Sequence, residues 1–142
     1  MPFVLKMDSS DFPKYIQKLE GFKQGVGIPA SFVPHSTFWL TNEAEKILGV
    51  VNIRHHLTGR LLIEGGHIGY GIRPSERRKG YATMILKLAL IEAKKLGIER
   101  ALVTCHKKNT ASAKTILKHG GKFYRENLFN DEIVVGYWIE NK

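Results

Sequence analysis

One segment constrains this chain more than any other. Between Gly65 and Leu96 an apolar strand (His67-Ile68-Gly69-Tyr70-Gly71-Ile72) stops at Pro74, a basic loop follows (Arg77-Arg78-Lys79-Gly80), and a long helix opens. Proline cannot donate to a ladder, so the strand ends there. Ala82, Ile85, Leu86, Ala89, Leu90 and Ala93 form one apolar face over about Lys79 to Leu96, and Gly97 supplies the stop. The first N–H groups of a helix have no partner inside it and carry partial positive charge, so such a helix start attracts anions. Gly80 allows close backbone approach, Ala82 keeps bulk away, and Arg77, Arg78 and Lys79 add full charge. The combination suits a diphosphate.

The remaining pattern alternates strands and helices. Asp11 to Phe22 reads as a helix, with Phe12, Tyr15, Ile16 and Leu19 three and four apart, and Gly25 to Pro34 reads as a loop. Strands are expected at Ser36 to Leu40 and Ile47 to Arg54, with Leu61 to Ile63 extending the ladder. Ala101 to Cys105 is a continuous apolar strand suited to the middle of a sheet. Asn109 can cap a second helix that runs to His119 and ends at Gly120-Gly121. Lys122 to Glu126 and Ile133 to Ile139, joined at Asn130-Asp131, form a closing hairpin. The order predicts an α/β fold: a mixed central sheet with helices on its faces.

Composition narrows the function classes. With 142 residues, a single domain over 1–142 is expected. No apolar run reaches the length of a membrane helix, the first residues are too short an apolar stretch for a signal peptide, and the single Cys105 has no internal disulfide partner. A cytoplasmic protein with no membrane partner is the expectation. The net charge of +9 is spread along the chain and not gathered in an aromatic-rich stripe, so a nucleic-acid partner is not expected. His55-His56 have no second ligand pair at metal spacing, so no metal is expected.

The residues also resemble a known family. Ile72, Pro74, Arg77, Gly80 and Ala82 fit the acyl-CoA signature of the GNAT acetyltransferases: apolar-x-Pro-x-x-(Arg/Gln)-x-x-Gly-x-(Gly/Ala). Asn109, Ser112, Lys118 and Gly120 fit its second block, and the two blocks with the hairpin span about Ile47 to Ile139. Phe38-Trp39-Leu40, Gly49 to His55 and Gly65 to Tyr70 resemble a bacterial subgroup of predicted acetyltransferases whose substrates are unassigned. Compared with such members the chain looks short at its N-terminus, so the opening strand is either missing or reduced to Phe3 to Lys6.

The resemblance implies a GNAT-like sheet in which two parallel strands, here His67 to Ile72 and Ala101 to Cys105, part at a bulge that Gly69 and Gly71 permit. The pantetheine arm of acetyl-CoA would lie between them. It also implies that Ile72 offers backbone groups to that arm, that Arg78, Lys79, Gly80, Tyr81, Ala82 and Thr83 hold the pyrophosphate with Arg77 nearby, and that Asn109 and Ser112 meet the cofactor. The implied activity is acetyl-CoA-dependent N-acetyl transfer, directly to a primary amine of a small molecule or a protein. The alternative is a non-catalytic module that binds acyl-CoA. His67 is the first candidate base and Glu64 the second. Many family members carry an acidic tyrosine where this chain has Ile116, so Tyr124, Tyr137 or Tyr70 substitutes, or no acid is used. The resemblance leaves room for a homodimer.

Overall fold

The computed structural model describes residues 12–27 and 32–141. The expected opening strand at Phe3 to Lys6 lies outside these residues. Helix α1 (Phe12–Lys23) precedes two strands, β1 (His35–Thr41) and β2 (Ile47–Arg54). A short helix α2 (Gly59–Ile63) leads to β3 (Ile68–Ile72), and a 3-10 turn at Pro74–Glu76 leads to α3 (Tyr81–Lys95). Then come β4 (Arg100–His106), α4 (Thr110–Lys118), β5 (Lys122–Phe129) and β6 (Glu132–Glu140).

The six strands form one mixed sheet in the order β1-β2-β3-β4-β6-β5. Among the described residues, β3 and β4 are the only parallel neighbours; the other four pairs are antiparallel. Alternation along β2 distributes the core. Val51 and Ile53 face the α3 side with Ile85, Leu86, Ala89, Ala93 and Ile116 of α4, whereas Val50 faces α1 with Leu19 and Phe22. Helices therefore cover both faces. Each fully buried Leu or Ile in this core contributes roughly 1.5–3 kcal/mol. Among the described residues, no helix is long and apolar enough to cross a membrane.

Helices α3 and α4 end as their glycines dictate. At the end of α3, Gly97 takes φ 86°, Ile98 N–H donates to Ala93 O at 3.1 Å and Gly97 N–H to Lys94 O at 3.0 Å. At the end of α4, Gly121 N–H donates to Ile116 O and Gly120 N–H to Leu117 O, each at 3.0 Å. The hairpin turns at Asn130 (φ 49°) and Asp131 (φ 64°), the left-handed pair that a two-residue turn requires.

Two expectations are corrected. Leu61 to Ile63 does not extend the ladder: it belongs to α2, because Thr58 accepts a hydrogen bond from Leu61 N–H at 3.3 Å and caps a helical turn. The expected bulge at Gly69 and Gly71 is also absent from the β2 ladder, where β3 keeps unbroken register from Ile68 to Ile72.

The strands nonetheless part. β3 and β4 are paired only at Ile68↔Val103, whereas β4 is zipped to β6 from Arg100 to His106. Each strand follows its own antiparallel partner, and the two halves of the sheet separate past Ile68.

Candidate active site

The join at the closed end of the gap is tightly made. His67 N–H donates to Leu102 O at 2.8 Å, and Leu102 N–H donates to His67 Nδ1 at 2.9 Å. Gly65 N–H donates to Thr104 Oγ1 at 3.0 Å. Beyond it, Arg73 N–H reaches Leu48 O on β2, so strand alternation turns the amides of Tyr70 and Ile72 toward β4 and the gap. An extended chain laid there would find backbone partners on β3.

A cavity of about 560 Å³ starts in the gap and runs to the N-terminus of α3, lined by Tyr70, Ile72, Glu76, Asn109, Ser112 and the loop that opens α3. Gly80 caps α3 in the left-handed region (φ 84°), and no side chain caps the helix. The first backbone bond of α3 is from Met84 N–H to Gly80 O, which leaves the N–H groups of Tyr81, Ala82 and Thr83 facing the cavity they line. A Cβ on Gly80 would meet nothing within 4 Å. Arg77 and Arg78 line the same space; Arg77 Nε–H donates to Ile72 O at 3.2 Å. These groups suit a diphosphate followed by an extended amide chain.

Lys79 is placed differently from the expectation. Its ammonium is 2.8 Å from Glu76 Oε2, and Lys46 is 2.6 Å from Oε1 of the same carboxylate. Hydrogen bonds from Lys46 and Lys79 hold the buried Glu76 ionised, down to a pKa of about 2. The two ammonium groups outweigh that carboxylate, so the cluster beside the cavity stays net positive.

Asn109 has two uses at once. Its Oδ1 accepts from Ser112 N–H at 3.1 Å and caps α4, which leaves the amide nitrogen free to donate into the cavity. Tyr70 Oη lies 3.1 Å from Ser112 Oγ, and burial raises the phenol pKa. Tyr70, Asn109 and Ser112 also line a second chamber of about 130 Å³ beside the gap, with Arg54, Glu64, Thr104, Cys105 and His106 among its walls. The two spaces meet at these three residues.

The candidates for proton transfer separate clearly. Glu64 and Tyr70 line the chamber; His67 and Tyr124 line neither space. The His67 ring is turned into the sheet against Trp138, and burial foremost, then the Arg54 charge, lowers its pKa to about 4. With Nδ1 accepting, Nε2 carries the proton, so the ring has no lone pair left for an amine. Tyr124 packs on Trp138, with ring centroids 5.5 Å apart, because the irregularity between Phe123 and Arg125 sets its face. Tyr137 borders a separate hollow with Cys105, Phe123 and Glu126. Sequence reading missed Arg54, Glu76 and Thr115. Only Thr115 carried a local signal, three residues after Ser112 on α4.

The sequence matches the family model for the acetyltransferase (GNAT) domain over residues 10–122. The chain belongs to the GNAT acetyltransferase family. Solved structures share the fold of this GNAT chain. Spermidine N-acetyltransferase from Vibrio cholerae, in a dodecameric structure, is 14% identical with a TM-score of 0.65, over 89% of this chain and 74% of that one. A Salmonella typhimurium protein described as an acetyltransferase, solved with its cofactor acetyl-CoA, is 13% identical with a TM-score of 0.68, over 99% of this chain and 83% of that one. At these identities the likeness speaks for the fold alone. No curated protein matches the sequence.

Proposed function

We propose that this GNAT chain is an acetyl-CoA-dependent N-acetyltransferase that acts by direct transfer to a primary amine. The observation that carries the reading is the parting of β3 and β4 after Ile68, which leaves the anion site at α3 continuous with the Glu64 chamber. When bound, acetyl-CoA supplies an activated acyl thioester. The chain's own residues do the rest. The amides of Tyr81, Ala82 and Thr83 with Arg77 and Arg78 hold the diphosphate, and the amides of Tyr70 and Ile72 with Asn109 orient the arm.

Transfer forms a C–N bond and breaks a C–S bond; the amine loses one proton and sulfur gains one. Glu64, which lines the acceptor chamber, takes the proton from the amine. Tyr70 Oη, kept protonated by burial and paired with Ser112, gives a proton to the departing sulfur. In this reading Tyr70 supplies from β3 what other family members supply from the helix position held here by Ile116.

The test has two parts. Acetyl-CoA should raise the melting temperature, and thioester should be consumed when a panel of amines is supplied. Strong binding with no acylation of any amine would favour the non-catalytic module instead.

A further inference from the structure

The acceptor chamber carries an unusual charge. Arg54, at the end of β2, is half-buried, and its guanidinium lines the chamber. Among the described residues the guanidinium donates one hydrogen bond, from Nη1 to Gly65 O at 3.0 Å, and no carboxylate lies within ion-pair distance of it. An arginine has five N–H donors in a planar fork. Gly69 makes room for it: a Cβ there would lie 2.9 Å from Arg54 Nη1. Glu64 lines the same chamber and favours the Arg54 charge, offsetting part of its desolvation. The Arg54 field also depresses the pKa of the neighbouring His35 and His67, secondary to burial. A desolvated cation with spare donors, in a cavity, is costly unless a ligand completes it.

We propose that the acceptor is an amino acid, with its carboxylate held by the Arg54 fork and its amino group facing Glu64. This rests on the acetyl-transfer reading above and narrows it. The fork matches a carboxylate in two parallel hydrogen bonds, and Glu64 matches an ammonium group. The chamber of about 130 Å³ suits a compact zwitterionic head. A polyamine would bring positive charge against Arg54, and a protein lysine or N-terminus would bring no carboxylate beside its amine. The carboxylate takes no part in bond making: the ammonium group gives one proton to Glu64 and becomes the nucleophilic amine, the amino nitrogen bonds to the acetyl carbon as the C–S bond breaks, Tyr70 gives a proton to sulfur, and the second proton lost by nitrogen returns to Tyr70 through solvent.

The experiment compares three matched sets of acceptors: L-amino acids, their carboxamides, and the corresponding decarboxylated amines, with spermidine included. Thioester consumption and binding to the CoA-loaded protein are measured for the native chain, Arg54→Lys and Gly69→Ala. The acids should be preferred over the other sets by at least roughly 30-fold in kcat/KM, the low end of the cost of removing one partner of a buried charge pair. That preference should collapse in both variants while CoA binding persists. A purely structural Arg54 would lower the melting temperature and leave the preference unchanged. Should Arg54→Lys not fold, Gly69→Ala, which keeps the arginine and displaces its fork, decides the matter. Acetylation of amides, simple amines or spermidine as fast as acids overturns the amino-acid assignment and leaves the transferase reading standing. Arg54-dependent binding of amino acids without acetylation supports the site and overturns the transferase reading. Neither binding nor acetylation of any amino acid overturns the proposal.

Discussion

The Tyr70 hydroxyl sits 3.1 Å from the Ser112 hydroxyl, joining β3 to the first turn of α4 across the mouth of the gap. This pair stands where the two cavities meet, so it borders both the cavity that reaches α3 and the chamber lined by Glu64. A phenol there can protonate a sulfur, and a thiol needs that help only modestly because its ordinary pKa is about 8.5. Tyr70→Phe should therefore lower kcat by about 10²-fold, the low end for general acid catalysis, with little change in the KM for acetyl-CoA. Ser112→Ala, which keeps the phenol, should cost less. Steady-state kinetics with thiol release as the signal checks both, and an unchanged kcat in Tyr70→Phe would remove the residue from the mechanism.

Gly80→Glu tests the anion site. A Cβ at this position has no protein atom within 4 Å, so the side chain leaves the backbone into open space, yet it carries a negative charge to the diphosphate. The left-handed φ of 84° adds a conformational cost of about 1–2 kcal/mol. The variant should fold with a lowered melting temperature and lose measurable affinity for acetyl-CoA in calorimetry.

His67 should prove structural. Removing its ring leaves Leu102 N–H without its acceptor at the join of β3 and β4, a loss of roughly 1–3 kcal/mol. His67→Ala should lower stability by at least that amount, seen in chemical denaturation. His67→Asn, whose amide oxygen can accept the same hydrogen bond, should recover part of it.

The pH dependence of stability has a defined sign. His67 and His35 are both lowered from 6.5 to about 4, chiefly by burial, so the folded state binds fewer protons than the unfolded state between these values. Their contribution is complete above about 6.5 and is lost as pH falls toward 4. Glu76, held down to about 2 by Lys46 and Lys79, adds a second loss below its ordinary 4.5. The melting temperature should fall in both windows. In Glu76→Gln the lower window should flatten, with the difference from the native chain largest near neutral pH and vanishing toward pH 2.

Much of the geometry around the start of α3 and α4 was legible because its signals are local. Proline stops a strand, glycine opens and closes a helix, and asparagine caps one; each acts within a few residues, so Ile72, Gly80 and Asn109 could be placed from sequence. The acceptor side was not legible in that way. Which way His67 points depends on the irregular join at Gly65 and Gly66, both at positive φ, and on Trp138 far along the chain. Arg54 reaches the chamber only because β2 lies beside β3 with Gly69 opposite Asn52. The basic run in the sequence marks Lys79 as a phosphate partner, whereas in the fold Glu76, three residues earlier, holds its ammonium group. Thr58 gives no cap signal in the sequence because a five-residue helix leaves no periodicity to read.

The central claim is that the divergence of β3 from β4 is the seat of a coenzyme. A crystal structure of the protein grown with acetyl-CoA tests it most directly. The account predicts density for the pantetheine arm against the Tyr70 and Ile72 amides, with the diphosphate on the N–H groups of Tyr81, Ala82 and Thr83. Coenzyme bound elsewhere on the surface, or β3 and β4 closed into a continuous ladder past Ile68 with the coenzyme present, would contradict it.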